Sequence, residues 1–484
     1  MGELSALQPT AVFRHFEEIC KIPHGSGNVS ALVDHCIAFA EAHGLAWERD
    51  QADNLIIRKP ASPGYEGADG LILQGHTDMV CEKVAGLPFD FEKDGIQPYA
   101  DGDWLRARGT TLGADNGIAV AMCLALLEDD TLEHPPLEVL LTSDEEIGMI
   151  GAFAFDCSRL QGHKLINLDS EYEGVLMCSC AGGATVRSTL PVEREPKALQ
   201  QIKLDITGLK SGHSGVEIDK GRANANVLMG RLLDALAHKG DYRLIQLSGG
   251  PRETAIACEA HAVLGVAAAE AEPLLAEVKR MAAAYQKEYA TTEPGLTVDA
   301  VSEAAGECEV LTADSTRRVR QLLLALPDGV QVMSPDMPGL VQTSLNFGTL
   351  LLEDTQLCMA HSVRSSITTQ KQWIVSQVQA AVALAGGASE VAGDYPGWSY
   401  NPHSVVKDTI LKAYQELFGL EAKVDAVHAG IECGLFADSI EGLDCVSIGP
   451  ELADVHTPKE KLSIPSVQRT YQLMQAVLKA SGPA

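Results

Sequence analysis

The residues in this chain whose types could share one reaction are imidazoles and carboxylates that close apolar runs. The first run is Leu71-Ile-Leu-Gln-Gly-His-Thr-Asp78. In an extended segment, alternation puts His76 and Asp78 on one side, at the carboxyl end of a buried strand. Open α/β sheets keep their chemistry there. A histidine that ligates a metal through one ring nitrogen needs its other N–H held, and Asp78 is a carboxylate placed to do so. Further acids follow in Gly113-Ala-Asp115-Asn-Gly117, in Thr142-Ser-Asp-Glu145-Glu146-Ile-Gly148 and in Asp169-Ser-Glu171, and a second imidazole in Val455-His456-Thr-Pro458. Each has a blander meaning by itself: a helix cap, a solvated acidic turn, a strand end, a surface histidine. Jointly they put two histidines and several carboxylates at strand ends and loops of one layer. That donor mix suits paired divalent cations, zinc first.

The elements that must position these groups follow from periodicity. Residues 9–20 read as a helix with Val12, Phe13, Phe16 and Ile19 on one face, and Pro23-His-Gly-Ser-Gly27 breaks it. Short strands are expected at 45–48, 54–58 and 71–75, then an irregular stretch to Gly113, a helix from Gly117 to about Leu127, and buried strands at 137–142 and 164–168. Alternating strands and helices predict an α/β domain with a mostly parallel sheet flanked by helices. From about Thr185 the order changes to strand 201–206, helix 223–238, strands 242–247 and 254–265, helix 269–289 and strand 296–301, a ferredoxin-like succession. A second such half is expected from helix 315–326, strands 330–333, 341–351 and 356–364, helix 371–385 and strand 389–392. After Asp394-Tyr-Pro-Gly-Trp the alternating pattern resumes. The expected division is a catalytic domain from residues 1–184 and 398–484, with 185–397 inserted as an α+β lid of two ferredoxin-like halves.

With 37 Lys and Arg against 66 Asp and Glu, the formal net charge is −29. Such a balance argues against nucleic acid or an anionic membrane as a partner, because phosphate recognition needs clustered cations. The first residues lack a basic region followed by an apolar core, and no apolar run is long enough to span a bilayer. The twelve cysteines are scattered without CxxC spacing, which predicts reduced thiols in a cytoplasmic protein.

The ordered set GHTD, GADNG, SDEEIG, NLDSE, GHSG, SVRS and HTPKE, running from His76 to His456 and beyond, resembles the co-catalytic zinc aminoacylase and dipeptidase superfamily. Length and the doubled insertion most resemble its aminoacyl-histidine dipeptidase branch. The resemblance implies two Zn2+ per subunit, with Co2+ or Mn2+ as possible substitutes. Asp115 would bridge them, His76 and Asp169 would complete one set of ligands, and Glu146 and His456 the other. Glu145 would be the general base that generates a zinc-bridging hydroxide, Asp78 would orient His76, and a cis peptide would follow Asp115. In the lid, His213 of Ser211-Gly-His-Ser-Gly215 would stabilise the oxyanion, assisted by Asn224. Arg364 would bind the free C-terminal carboxylate of a dipeptide, Xaa-His dipeptides such as carnosine included. A homodimer acting on small peptides is implied. The rival readings are an N-acyl amino acid deacylase or carboxypeptidase on the same framework, and a catalytically silent, metal-stabilised binding protein.

Overall fold

The computed structural model describes residues 3, 4 and 6–483. The chain divides into two compact units, one of Met1–Ser179, Trp398–Ala426 and Ile431–Ala484, the other of Cys180–Gly397 and Val427–Gly430. The first boundary thus falls at 179/180 where 184/185 was expected, and a four-residue return segment lies with the second unit.

The first unit holds an eight-stranded sheet in the order Ala46–Arg49, Leu55–Lys59, Leu137–Thr142, Leu71–His76, Lys164–Asn167, Asp444–Ser447, Val175–Cys180, Lys423–Val427. It is parallel at its centre, from Leu137–Thr142 through Leu71–His76 and Lys164–Asn167 to Asp444–Ser447. Towards Ala46–Arg49 on one side and at Val175–Cys180 on the other, pairing is antiparallel. The central strands are buried on both faces, and period two divides their side chains. Leu71, Leu73, Leu137, Val139, Leu141 and Ile166 share a core with the helices Thr10–Cys20, Ala114–Glu128, Val405–Phe418 and Ile464–Ala480, whereas Ile72, Leu140 and Leu165 are buried outside that cluster. Because the central strands run parallel, their carboxyl ends lie at one edge, and His76, Glu146 and Asp169 lie at or just past those ends.

The region read as irregular before Gly113 contains a hairpin, Pro98–Asp101 with Trp104–Ala107. Its signal, Asp101-Gly102 between two short runs, is present in the sequence. The hairpin pairs with Lys461–Ser463, which pairs with Leu452–Ala453, and this small sheet fixes both ends of the loop that carries His456.

The second unit is built on one ten-stranded antiparallel sheet. Along its main row the order is Thr297–Ser302, Arg194–Thr207, Ala260–Val266, Tyr242–Gly249, Val341–Leu352, Gln356–Ser365, Gly182–Pro191, Ala388–Tyr395. In chain order, the first four run fourth, first, third, second, the ferredoxin-like arrangement. The last four, read from the far end, repeat it, with Gly182–Pro191 as first strand. The second half therefore does not begin at helix 315–326: its first strand precedes the whole first half, which is inserted behind it. Gly329–Met333 pairs with Val341–Leu352 off the row. No local pattern reveals this, because Gly182–Pro191 pairs with residues 356–365 and 388–395, between 165 and 212 positions away. Helices Ala225–Ala237, Ala268–Glu288, Ala313–Ala325 and Thr368–Leu384 supply the other side of the core.

Among the described residues no helix is long and apolar enough to cross a membrane. Among the described residues, which include all twelve cysteines, there is no disulfide.

Candidate active site

In the first unit, Asp115 stands between two imidazoles. Its Oδ1 lies 3.2 Å from His76 Nε2 and its Oδ2 lies 3.1 Å from His456 Nε2. Asp169 Oδ1 approaches His76 Nε2 at 3.4 Å, and Glu146 Oε1 approaches His456 Nε2 at 3.0 Å. The five positions expected as ligands, drawn from five separate segments, are thus brought together. For His76, Asp115 and Glu146, one donor atom each lies within 4.8 Å of the others.

Asp78 does more than face His76. His76 Nδ1 lies 3.0 Å from the Asp78 carbonyl and 3.3 Å from its Oδ1, so Asp78 holds the Nδ1 proton and fixes the ring with Nε2 directed inward at Asp115 and Asp169. The Asp78 carboxylate also accepts the backbone N–H of Glu145 at 2.9 Å and of Glu146 at 3.3 Å, and the hydroxyl of Ser26 at 2.7 Å. One buried carboxylate therefore holds both the imidazole and the turn bearing the paired glutamates. The Pro-His-Gly-Ser-Gly stretch, expected only to break a helix, serves this site as well: Gly27 N–H donates to Asp144 Oδ1 at 2.6 Å.

Asp115 is positioned by two residues that sequence reasoning missed. Glu460, 3 % exposed, accepts the backbone N–H groups of Leu112, Gly113, Ala114 and Asp115 at 2.7, 3.2, 2.9 and 3.3 Å. It closes the HTPKE motif, and nothing local distinguishes it from a surface acid. Asn116, joined to Asp115 by the cis peptide that the resemblance implies, accepts His76 N–H at 3.1 Å and donates to the Leu168 carbonyl at 3.0 Å. It ties the segments bearing His76, Asp115 and Asp169 together. The helix proper then begins at Gly117, since Asp115 and Asn116 are non-helical.

Gly75 makes the Asn116 contact possible. A Cβ there would lie 2.5 Å from Asn116 Oδ1 and 2.9 Å from Ala119 Cβ. Gly75→Ala should destabilise the fold by about 1–3 kcal/mol through overpacking and weaken metal binding as Asn116 is pushed off its carbonyl. Thermal unfolding and metal titration of the variant would check this.

Two site loops hold non-glycine residues at positive φ, Asp144 at 50° and His456 at 59°. Such conformations persist where surroundings over-determine them; here Asp144 accepts from Gly27, and the small sheet grips the His456 loop.

Electrostatics agree with a cation site. Burial pushes the Glu145 carboxyl up to about 9, with Asp169, Glu432 and Glu146 adding to the rise against the pull of His76. Asp169 is raised to about 7, again first by burial. Asp115 goes the other way: despite burial, hydrogen bonds from His456 and His76 hold it below the usual carboxylate range. His456 is raised to about 11 by its bonds to Asp115 and Glu146. Among the described residues no Lys or Arg pairs with Asp115, Glu146 or Asp169; their charged partners are the two imidazoles. Buried carboxylates without fixed cations are costly. Two imidazole Nε2 atoms flanking a shared carboxylate, with one further carboxylate each, are a donor set that paired divalent cations would satisfy.

The second unit gathers another group. His213 Nδ1 accepts the backbone N–H of Gly215 and Val216 at 3.1 and 3.3 Å, so its proton sits on Nε2. Burial and the nearby Arg364 charge lower its pKa, which keeps the ring neutral. A Cβ on Gly215 would lie 3.0 Å from His213 Cε1 and 3.1 Å from Arg364 Nε, so the two side chains converge there. Arg364 is 7 % exposed, its Nε makes no hydrogen bond, and among the described residues no carboxylate pairs with it. His428, which sequence reasoning did not single out, is buried beside them and shares a hydrogen bond with Ser344 Oγ at 2.7 Å. Asn224 does not join this group: its amide donates to Asp328 and to the Phe347 carbonyl while its oxygen caps the helix Ala225–Ala237.

Residues 72–480 match the family model described as Peptidase family M20/M25/M40. The chain belongs to that family. It is 41 % identical over 481 residues to the cytosol non-specific dipeptidase of Escherichia coli (strain K12), with 99 % of both chains covered. Among solved structures, the aminoacylhistidine dipeptidase from Vibrio alginolyticus superposes with a TM-score of 0.95 at 37 % identity, over 100 % of this chain and 98 % of that one. The aminopeptidase PepT from Bacillus cereus matches at a TM-score of 0.57 and 15 % identity, over 98 % and 99 %; at that identity the likeness extends to the fold alone. The M20 peptidase fold, its sheets flanked by helices, is shared with the Vibrio structure.

Proposed function

We propose that this M20 peptidase is a di-zinc dipeptidase, acting on dipeptides with a free C-terminal carboxylate, Xaa-His dipeptides among them. The observation that carries the reading is Asp115, with His76 on one carboxylate oxygen and His456 on the other. Likeness over the full length to proteins named as dipeptidases supports the substrate class. His76, Asp115, Glu146, Asp169 and His456 would hold the two ions, with Co2+ or Mn2+ as possible substitutes. Divalent cations held there would supply Lewis acidity, activating a water and polarising the scissile carbonyl.

The chain's own groups then divide the work. Glu145 takes the proton of the attacking water and passes it to the departing amine nitrogen. Asp78 keeps His76 Nε2 directed inward and the Glu145-Glu146 turn in place. His213, neutral and protonated at Nε2, donates to the carbonyl oxygen as negative charge develops. Arg364, a buried cation with no carboxylate partner among the described residues, binds the substrate's terminal carboxylate. The inserted unit would thereby supply the groups that recognise the substrate's carbonyl and carboxylate. A cytoplasmic homodimer is part of the same reading.

Hydrolysis of carnosine, other dipeptides, tripeptides and acetylated amino acids, with and without chelator, tests it. Dipeptides should be cleaved best and chelator should stop all turnover; preference for acetylated amino acids would make the enzyme a deacylase. Arg364→Ala should lower kcat/KM on dipeptides by about 10²-fold or more, as expected for a desolvated charge pair, while an uncharged C-terminal amide loses far less. Equal losses would contradict the anchor.

A further inference from the structure

Arg364, Gly183 and Tyr395 stand in one row across three neighbouring strands. Arg364 is opposite Gly183 in the pairing of Gln356–Ser365 with Gly182–Pro191, and Tyr395 is opposite Gly183 on the other side. Side chains at directly opposed positions share a face. Glycine in the middle leaves that face bare, and the Tyr395 phenol reaches over it until its hydroxyl accepts a hydrogen bond from Arg364 Nη1 at 3.1 Å.

The ring has little room elsewhere. A Cβ on Gly183 would lie 2.6 Å from the Tyr395 ring, and one on Gly430 would lie 2.7 Å from its other edge. The backbone beneath is held too: Lys371, 4 % exposed, donates to the Tyr395 carbonyl and pairs with Asp394 at 2.5 Å. Arg364 Nε, by contrast, is buried and unpartnered. One end of the guanidinium is therefore fixed by a clamped phenol while another donor is left for a ligand. A long side chain ordered in advance loses less freedom when it binds.

The geometry points to Tyr395 as a positioning residue for Arg364. It orients the guanidinium for the terminal carboxylate of a dipeptide and sets how strongly the enzyme prefers free over blocked C-termini. This rests on the reading of Arg364 as the carboxylate anchor. Gly183 belongs to the same device, because only a residue without a side chain lets the phenol cross its strand.

Steady-state kinetics on the metal-loaded full chain, with one dipeptide and its C-terminal amide, provide the test. Tyr395→Phe removes a single oxygen and should raise KM for the free dipeptide about tenfold, the worth of one hydrogen bond to a charged group. Its kcat should stay within about twofold, and KM for the amide should not change. Gly183→Ala, which displaces the ring, should reproduce the selective rise. In an Arg364→Ala background, Tyr395→Phe should add nothing. An unchanged KM for the free dipeptide in Tyr395→Phe, or an equal rise for the amide, overturns the inference while leaving the anchor standing if Arg364→Ala still discriminates. Should Arg364→Ala itself treat dipeptide and amide alike, anchor and positioning role fall together.

Discussion

Glu145→Ala is expected to lower kcat on dipeptides by about 10²- to 10⁴-fold, the range a general base supplies, with both metals still bound. The first half follows from the environment of the side chain. It is a buried carboxyl raised to about 9 among Asp169, Glu432 and Glu146, and when cations neutralise that neighbourhood it becomes a carboxylate able to take a proton. The second half follows from the division of labour between adjacent residues. Glu146 Oε1, not Glu145, lies 3.0 Å from His456 Nε2, and the turn is held through backbone N–H groups on Asp78, which survive loss of the Glu145 side chain. Glu146→Ala should instead lose metal. Metal analysis of the two purified variants beside their turnover checks both, and a Glu145 variant purified without metal would reverse the assignment.

Glu460→Ala is expected to have the largest effect of any residue outside the ligand set. Four consecutive backbone N–H groups, from Leu112 to Asp115, point at its carboxylate. An unsatisfied buried donor costs about 1–3 kcal/mol, so removing the common acceptor should destabilise the fold by several kcal/mol even where water enters. The same loss frees the turn that presents Asp115, and disturbing a partner behind a metal ligand weakens affinity by about 10- to 100-fold. Glu460→Gln retains an acceptor oxygen and should fall between Ala and the parent. Thermal unfolding without metal and metal titration at fixed pH measure the two effects separately. Full metal affinity in Glu460→Ala would show that the turn holds its shape without the carboxylate.

The local pattern went far in the first unit because its chemistry sits where short-range rules apply. An apolar run that ends in Gly-His-Thr-Asp is a buried strand delivering its last side chains to the sheet edge. Leu137–Thr142 and Lys164–Asn167 end the same way, and the parallel pairing of these strands with Leu71–His76 turns three separate endings into one site. Backbone alternation and burial are properties of a few consecutive residues, so the sequence alone determined which acids and imidazoles lie at strand ends, and the ordered motifs pointed to their joint purpose. It also showed that an α+β segment interrupts the α/β chain.

What needed the tertiary structure depends on partners far apart in the chain. Nothing near Glu460 marks it as the acceptor for residues some 345 positions earlier, and nothing near Tyr395 foretells that its phenol crosses Gly183 to meet Arg364. Asp78 read as a partner for His76, yet its hold on Ser26 and on the amides of Glu145 and Glu146 arises only when three segments pack together. The order of strands in the second unit was out of reach for the same reason. Hydrophobic period shows which face of a strand is buried but not which strand lies beside it, and Gly182–Pro191 finds its neighbours only after an entire ferredoxin-like half has intervened. Residue types and their local spacing determined the reagents; packing between remote segments decided how they are aimed.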